Sequence, residues 1–165
     1  MITQQVGSIF MKQNKMYIAF YKGQKTGKSL SAIWARFCDW LTRKTTKGKY
    51  SHCEIVYRTK EGDYHCFSAS VRDGGVRHKR MQLDLEKWDF VPIDLDKRYL
   101  DYFYNGIKGQ GYDWLGAIGV VLKWRQSDNK WFCSEFCAAA LGFHQSWRFS
   151  PNDLYIVCKR MAEDL

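Results

Sequence analysis

Residues 129–142 read NKWFCSEFCAAALG and place two cysteines, Cys133 and Cys137, where the pattern predicts the start of a helix. A helix N-terminus has backbone N–H groups without intrahelical acceptors, and its dipole favours an anion, so a thiol there acquires a lowered pKa. Cys133 lies at this terminus, whereas Cys137 lies one turn further in. The stretch therefore fits half of a metal site, a pair of small core residues, or a nucleophile beside a core residue.

Helical spacing dominates the second half of the chain, and one earlier helix follows an N-cap at Ser29. A last helix begins after Ser150, with Pro151 at its first position and Asp153 in its first turn. The apolar positions at helical spacing are Leu30, Ile33, Trp34, Phe37, Cys38 and Leu41, then Leu100, Phe103, Tyr104 and Ile107, then Leu115, Ile118 and Leu122.

Strand-like segments fill the first half of the chain. TKEGD at 59–63 predicts a hairpin turn, and RDGGV at 72–76 predicts another turn. The sequence thus predicts an α+β fold in which an antiparallel sheet packs against helices. The predicted strands are 17–21, His52–Arg58, Tyr64–Ser70 and Trp88–Ile93.

Length and composition indicate one globular domain. The chain has 165 residues, of which 45% are hydrophobic and 26% are charged. We expect a loose leader over 1–15 and a single domain over 16–165. No segment has the apolar length of a signal peptide or a transmembrane span, and the six cysteines show no disulfide spacing, which predicts a reducing compartment.

The net charge of +9 favours an anionic partner such as a cell-wall polymer, a membrane surface or nucleic acid. The positive residues are scattered, with local clusters at 43–49 and 77–80. Such a distribution is typical of a solvated surface, and nucleic-acid binding is not expected.

A nucleotide site is not predicted from GQKTGKS at 23–29. A phosphate-binding loop has four residues between its first glycine and the Gly-Lys pair, whereas this segment has three. No doubly wound βαβ pattern follows it. We interpret the segment as a loop before the first helix.

A zinc site is not predicted either. Strong zinc signals pair ligands as Cys-x2-Cys or His-x3-His. His52 and Cys53 are neighbours on a strand and point to opposite faces, so both cannot bind one ion. Cys-x3-Cys alone at Cys133 and Cys137 is weak evidence.

A nucleophilic cysteine requires a base, and His52 is the best candidate because it begins a strand after a loop. The predicted hairpin returns Ser68 and Ser70 to the neighbourhood of His52, where the Ser68 hydroxyl can orient the imidazole. Glu54 is an alternative orienter, because it lies two residues along the same strand and on the same face.

Five motifs together resemble the circularly permuted papain-like hydrolases, the branch that includes YiiX-like proteins and the lecithin retinol acyltransferase family. This branch is related to NlpC-type cell-wall peptidases, and similar small proteins occur in tailed phages and prophages. The similarity runs from about residue 17 to about residue 155. The motifs are YSHCEIV at 50–56, FSAS at 67–70 before RDGGV, GYDWLG at 111–116, WFCSEFCAAALG at 131–142 and SPNDL at 150–154.

The resemblance implies a role for each matching residue. Cys133 matches the nucleophile, His52 the general base and Ser68 the third polar residue, although relatives more often have His, Asn, Gln or Glu in that place. Tyr112 matches the tyrosine that supports the oxyanion site, and Asp113 is expected to cap the following helix. Neither a metal nor another cofactor is expected.

The implied function is a thiol hydrolase or acyltransferase that acts on an amide, such as a peptidoglycan peptide, or on a lipid ester. The expected location is the cytoplasm of an infected or lysogenic host, or the virion. The alternative is a non-catalytic phage binding module of the same fold, which recognises a host protein or an anionic polymer. The sequence predicts no oligomeric state.

Overall fold

A seven-stranded sheet organises the described residues, which are 15–23, 30–113 and 129–164 of this computed structural model. The strand order is β5-β1-β2-β3-β4-β6-β7, and only β6 and β7 run parallel to each other. The strands are β1 Met16–Tyr21, β2 His52–Arg58, β3 Tyr64–Ser70, β4 Gly75–Met81, β5 Trp88–Ile93, β6 Gly111–Tyr112 and β7 Lys130–Trp131.

Four helices lie within the described residues, together with 3-10 turns at Val71–Asp73 and Ser146–Arg148. Asp96 caps α2 by accepting a hydrogen bond from the Tyr99 N–H at 3.0 Å. Ser150 and Asp153 exchange hydrogen bonds at the start of α4, as their spacing predicts. The helices are α1 Leu30–Thr46, α2 Lys97–Ile107, α3 Cys133–Ala140 and α4 Pro151–Glu163.

The predicted α+β class is confirmed, and β2, β3 and β5 have the predicted bounds. The strand β4 was not predicted, because its run of polar residues RHKR conceals the alternation between faces. The two-residue strands β6 and β7 are too short to leave a pattern. The predicted leader up to residue 14, the Ser29 cap and the Leu115, Ile118 and Leu122 stripe lie outside the described residues.

The sheet separates two apolar clusters, because alternate residues of each strand point to opposite faces. Helix α3 belongs to the larger cluster, packs against β2 and β3, and buries seven of its eight residues. The larger cluster includes Ile18, Phe20, Ile55, Phe67, Leu100, Phe136 and Leu154. The smaller one contains Tyr17, Ala19, Val56, Tyr64, Cys66 and Leu83.

Helix α1 has the predicted position but not a fully buried apolar stripe. Ile33 and Phe37 of that stripe are exposed, whereas Asp39 is buried. The helix therefore presents part of its apolar surface to solvent.

Asn152, in the first turn of α4, fixes the chain just before β2. Its carboxamide oxygen accepts a hydrogen bond from the Tyr50 N–H at 2.9 Å, and its nitrogen donates to the Tyr50 carbonyl at 2.8 Å and to Thr46 Oγ1 at 2.7 Å. Because Tyr50 is two residues before His52, this clamp determines where β2 begins. Gly48 permits the clamp, since a Cβ there would lie 2.1 Å from the Asn152 carboxamide carbon.

Replacing Gly48 by alanine should destabilise the protein, because the added methyl group overlaps a carboxamide held by three hydrogen bonds. We expect the free energy of unfolding in urea to fall by about 1–3 kcal/mol. Gly106→Ala is the matched control. Gly106 lies in α2 with no atom near its missing Cβ, so this change should stabilise by about 0.5–1 kcal/mol. Equal effects of the two substitutions would contradict the clamp.

Candidate active site

Cys133 is the first residue of α3, and its side chain lies against the sheet where β2 begins. The preceding residue, Phe132, has an extended backbone and caps the helix, and its N–H lies 3.5 Å from Glu135 Oε2. Cys133 is 5% exposed and belongs to the larger apolar cluster, so its side chain is buried. The predicted position of this cysteine at a helix N-terminus is confirmed.

The His52 imidazole and the Cys133 thiol lie close enough for each to shift the pKa of the other. Burial opposes a charge on His52, but the charge of Cys133 and the interactions with the Cys133 and Glu54 side chains outweigh burial and raise the pKa of His52 to about 9. The Cys53 thiol and the charge of His52 overcome burial and hold the pKa of Cys133 well below its usual range. Both shifts favour a thiolate beside an imidazolium.

Glu54 is the carboxylate in contact with His52. Its Oε1 lies 3.0 Å from His52 Nε2, so the carboxylate occupies one of the two ring nitrogens. Glu54 is 1% exposed, and burial alone would favour its neutral form. The hydrogen bond and charge of His52, together with the charge of Arg77, outweigh burial and lower the pKa of Glu54 to about 2.

Arg77 in β4 holds the other side of Glu54. One guanidinium nitrogen donates to Glu54 Oε1 at 2.6 Å and another to Oε2 at 2.9 Å, so the pairing is bidentate. The same guanidinium donates to the Cys66 carbonyl at 3.2 Å and to Asp73 Oδ2 at 3.1 Å. Asp73 in turn pairs with Lys79. The site is thus backed by a chain of alternating charges.

Sequence reasoning missed the role of Arg77, which it placed in a solvated basic cluster. A signal did exist. If RDGGV closes a hairpin between β3 and β4, Arg77 pairs with Ser68 and the two side chains share one face of the sheet. The glycine-rich turn was identified, but the strand after it was not.

Ser68 is completely buried in β3. Its hydroxyl donates to the Cys53 carbonyl at 2.8 Å and contacts the Ala69 carbonyl at 3.3 Å. The sequence predicted two candidates to orient the imidazole, and the structure places Glu54 against it. Ser68 instead links β3 to the start of β2 through the Cys53 carbonyl. This hydrogen bond steadies the residue next to His52.

Tyr112 lies in β6 beside Trp131, which is two residues before the nucleophile candidate. The Tyr112 N–H donates to the Gly74 carbonyl at 2.9 Å, and the Asp113 N–H donates to the Trp131 carbonyl at 3.0 Å. Tyr112 thus flanks the segment that leads into α3, and its role at an oxyanion site stays a prediction. The helix that Asp113 is predicted to cap lies outside the described residues.

Cys137 and Cys53 lie beside Cys133 and complete a buried group of three thiols. Both are fully buried, and burial raises the pKa of each of them. The Cys53 thiol lies beside both of the others. The three cysteines therefore differ: the pKa of Cys133 is lowered, whereas Cys53 and Cys137 have raised pKa values and pack as core residues.

Trp88 in β5 is an aromatic neighbour of the His52 imidazole. The Trp88 ring packs edge-on to His52, with ring centroids 6.2 Å apart, and stands beside Tyr21 at 5.0 Å. Within the described ranges, no group of three His, Cys, Asp or Glu side chains is arranged to hold a metal ion. No described helix has the length and apolar character needed to cross a membrane.

No protein-family model matches the chain, and no curated protein matches it in sequence. Function is therefore inferred from the site itself, through the chemistry that its residues support.

Cys133 should be the cysteine that iodoacetamide labels fastest at pH 6. An ordinary thiol is only roughly 0.3% ionised at that pH, whereas the lowered pKa keeps Cys133 as thiolate. Its reactivity should persist through pH 9, because loss of the His52 proton leaves the thiolate intact. In His52→Gln, labelling at pH 6 should become slow and should rise only near the usual thiol pKa. Peptide mapping by mass spectrometry measures both rates, and preferential labelling of Cys137 would refute the assignment.

Arg77→Met should be strongly destabilising at pH 7, because it leaves the Glu54 carboxylate buried with one partner fewer. We expect the free energy of unfolding to fall by about 3–5 kcal/mol. Arg80→Met on the same strand is the control. Arg80 forms exposed ion pairs with Glu61 and Asp63, whose loss should cost less than about 1 kcal/mol.

The destabilisation caused by Arg77→Met should depend on pH. A carboxyl with a lowered pKa stabilises the fold above its ordinary pKa, and this contribution is lost as pH falls through the folded value of about 2. The difference between wild type and Arg77→Met should therefore be greatest above about pH 5 and shrink in acid. A difference that is constant from pH 7 to pH 3 would argue against a charge effect.

Proposed function

We propose that the protein is a thiol hydrolase or acyltransferase in which Cys133 attacks the carbonyl carbon of an amide or an ester. The observation that carries this proposal is the placement of Cys133, the first residue of α3, beside His52, whose Nε2 lies 3.0 Å from Glu54 Oε1. This is the arrangement of nucleophile, base and orienter that covalent acyl transfer requires. No other group of described residues combines an activated nucleophile with a base in this way.

In the first half of the reaction, the Cys133 thiolate adds to the substrate carbonyl carbon and the π electrons move to oxygen. The backbone N–H of Cys133, at the positive end of α3, and the Tyr112 hydroxyl are the proposed donors to this oxyanion. The C–N or C–O bond then breaks as the His52 imidazolium gives its proton to the leaving amine or alcohol. The acyl group remains on Cys133 as a thioester.

In the second half, the acyl acceptor is water or another nucleophile. Neutral His52 takes a proton from it, and its oxygen or nitrogen attacks the thioester carbonyl. The tetrahedral adduct collapses and expels the Cys133 thiolate. The imidazolium is thereby restored, and the product is a carboxylic acid or a transferred acyl group. Throughout this cycle, Glu54 keeps the ring oriented through Nε2.

The chain order supports a permuted papain-like architecture. His52, on a central strand, precedes Cys133 on the helix that packs against that strand, whereas the cysteine comes first in ordinary NlpC-type enzymes. A helix N-terminus packed on an antiparallel sheet is also the placement that the resemblance implies. The proposed third catalytic member is Glu54 rather than Ser68, on the strength of its contact with the imidazole.

The test is formation of a covalent acyl-enzyme that depends on Cys133. Purified peptidoglycan, amide peptides and phospholipid esters are incubated with wild type, Cys133→Ser, His52→Gln and the control Cys137→Ser. We expect wild type and Cys137→Ser to release product from one substrate class, and His52→Gln to lose at least about a hundredfold in rate. Mass spectrometry of the quenched reaction should show the acyl adduct on Cys133.

Product release that persists in Cys133→Ser would contradict the mechanism. Absence of turnover on all three substrate classes, together with unchanged thiol reactivity in His52→Gln, would instead support a non-catalytic binding module of the same fold. If iodoacetamide labels Cys133 rapidly at pH 6 in wild type but slowly in His52→Gln, the result favours the enzyme.

A further inference from the structure

The outer face of α1 presents three large apolar side chains to solvent. Ile33, Phe37 and Trp40 are 52%, 43% and 52% exposed. Their spacing of four and then three residues places them in one row on the helix surface. The Phe37 and Trp40 rings lie together with centroids 5.9 Å apart, so the row is continuous.

Positive side chains border this row. Lys44 extends the row by one turn, and its ammonium lies 4.7 Å from the Trp40 ring centroid. Arg36 and Arg43 line a surface groove together with the row. Asp39 is the helix's only acidic residue, and it is buried. The exposed surface of α1 is therefore apolar along its centre and positive along its border, with no exposed carboxylate.

A contiguous apolar row on a water-facing helix marks a surface that another phase or molecule covers. Aromatic and aliphatic side chains bordered by Lys and Arg are the composition of helices that lie in the interface of an anionic bilayer. The long basic side chains can reach the headgroups while the rings enter the acyl boundary. Ile33 favours a bilayer over single-stranded nucleic acid, because an aliphatic side chain offers no ring on which a base can stack.

We propose that the outer face of α1 docks the protein on the surface of an anionic lipid bilayer. Ile33, Phe37 and Trp40 insert into the interface, and Arg36 and Lys44 contact the headgroup phosphates. The net charge of +9 draws the protein toward the same surface. This proposal does not rest on the proposed catalysis, because none of these residues belongs to the site.

The docking face nevertheless lies close to the site in the fold. Arg43 donates to Ser51 Oγ at 3.1 Å and to the Gly23 carbonyl at 2.5 Å, and Ser51 precedes His52. Arg43 therefore links the C-terminal half of α1 to the residue before the strand that carries the imidazole.

The test is co-sedimentation of the full chain with vesicles of phosphatidylcholine alone and of phosphatidylcholine mixed with phosphatidylglycerol. We expect binding to the mixed vesicles, weakened by salt, and little binding to phosphatidylcholine. A triple variant, Ile33→Ser with Phe37→Ser and Trp40→Ser, should bind the mixed vesicles at least about tenfold more weakly. The control double variant, Tyr102→Ser with Ile156→Ser, removes two side chains that are more exposed and should bind like wild type.

A second pair of variants separates charge from apolar contact. Arg36→Gln with Lys44→Gln should weaken binding to the mixed vesicles about tenfold, whereas Arg98→Gln, on a fully solvated side chain of α2, should change it little. The free energy of unfolding of the triple variant in urea should fall only modestly, because about half of each replaced side chain is exposed.

Three outcomes would overturn the proposal. The first is no binding of wild type to the mixed vesicles. The second is equal binding of the triple variant and the control to the mixed vesicles. Tight binding of wild type to a single-stranded oligonucleotide, without binding to vesicles, would count in the same way. The third is a marked loss of unfolding free energy in the triple variant, which would mean that the row is covered by protein in solution.

Discussion

The buried carboxylate of Glu54 is the charge on which the site depends. A carboxylate with 1% exposure is stable as an anion only when its oxygens are paired, and both Glu54 oxygens accept hydrogen bonds from Arg77 while one also contacts His52. The β3–β4 register places Arg77 within reach. Glu54 then fixes the imidazole ring, and the ring fixes the protonation of Cys133. Sheet register and thiol chemistry are thus linked through one side chain.

The fold supplies the remaining conditions through elements far apart in sequence. Helix α3 points its N-terminus at the start of β2, so the helix dipole favours the Cys133 thiolate. Helix α4 contributes Asn152, which fixes Tyr50 and hence the beginning of the strand that carries His52. Cys133 and His52 are therefore each held by the end of a regular element, where backbone geometry is defined.

Much of the site could be predicted from the sequence because it follows from local patterns. The alternation of residues between the two faces of a strand predicted β2 and β3. The residue types at 131–137 predicted the helix that begins at Cys133. Glu54 was a candidate because two residues along a strand return to the same face. Assigning Arg77 required the unrecognised strand after RDGGV, and Asn152 could not be assigned from any local pattern, since its partner Tyr50 lies 102 residues earlier. Such contacts are set by tertiary packing and leave no local periodicity.

The alternation of charge also explains why an arginine is suited to the position behind Glu54. The series Cys133, His52, Glu54, Arg77, Asp73 and Lys79 alternates in sign when the thiol is ionised and the imidazole is protonated. In the proposed acyl transfer His52 gives up its proton, and Glu54 then loses one of its two cationic partners. Were Glu54 then without a partner, its pKa would rise and it would compete for the proton that the leaving group requires. Arg77 cannot release a proton at physiological pH, so it keeps Glu54 ionised in both states of the imidazole. In the proposed mechanism the proton is therefore exchanged between His52 and the substrate, and the carboxylate only orients the ring.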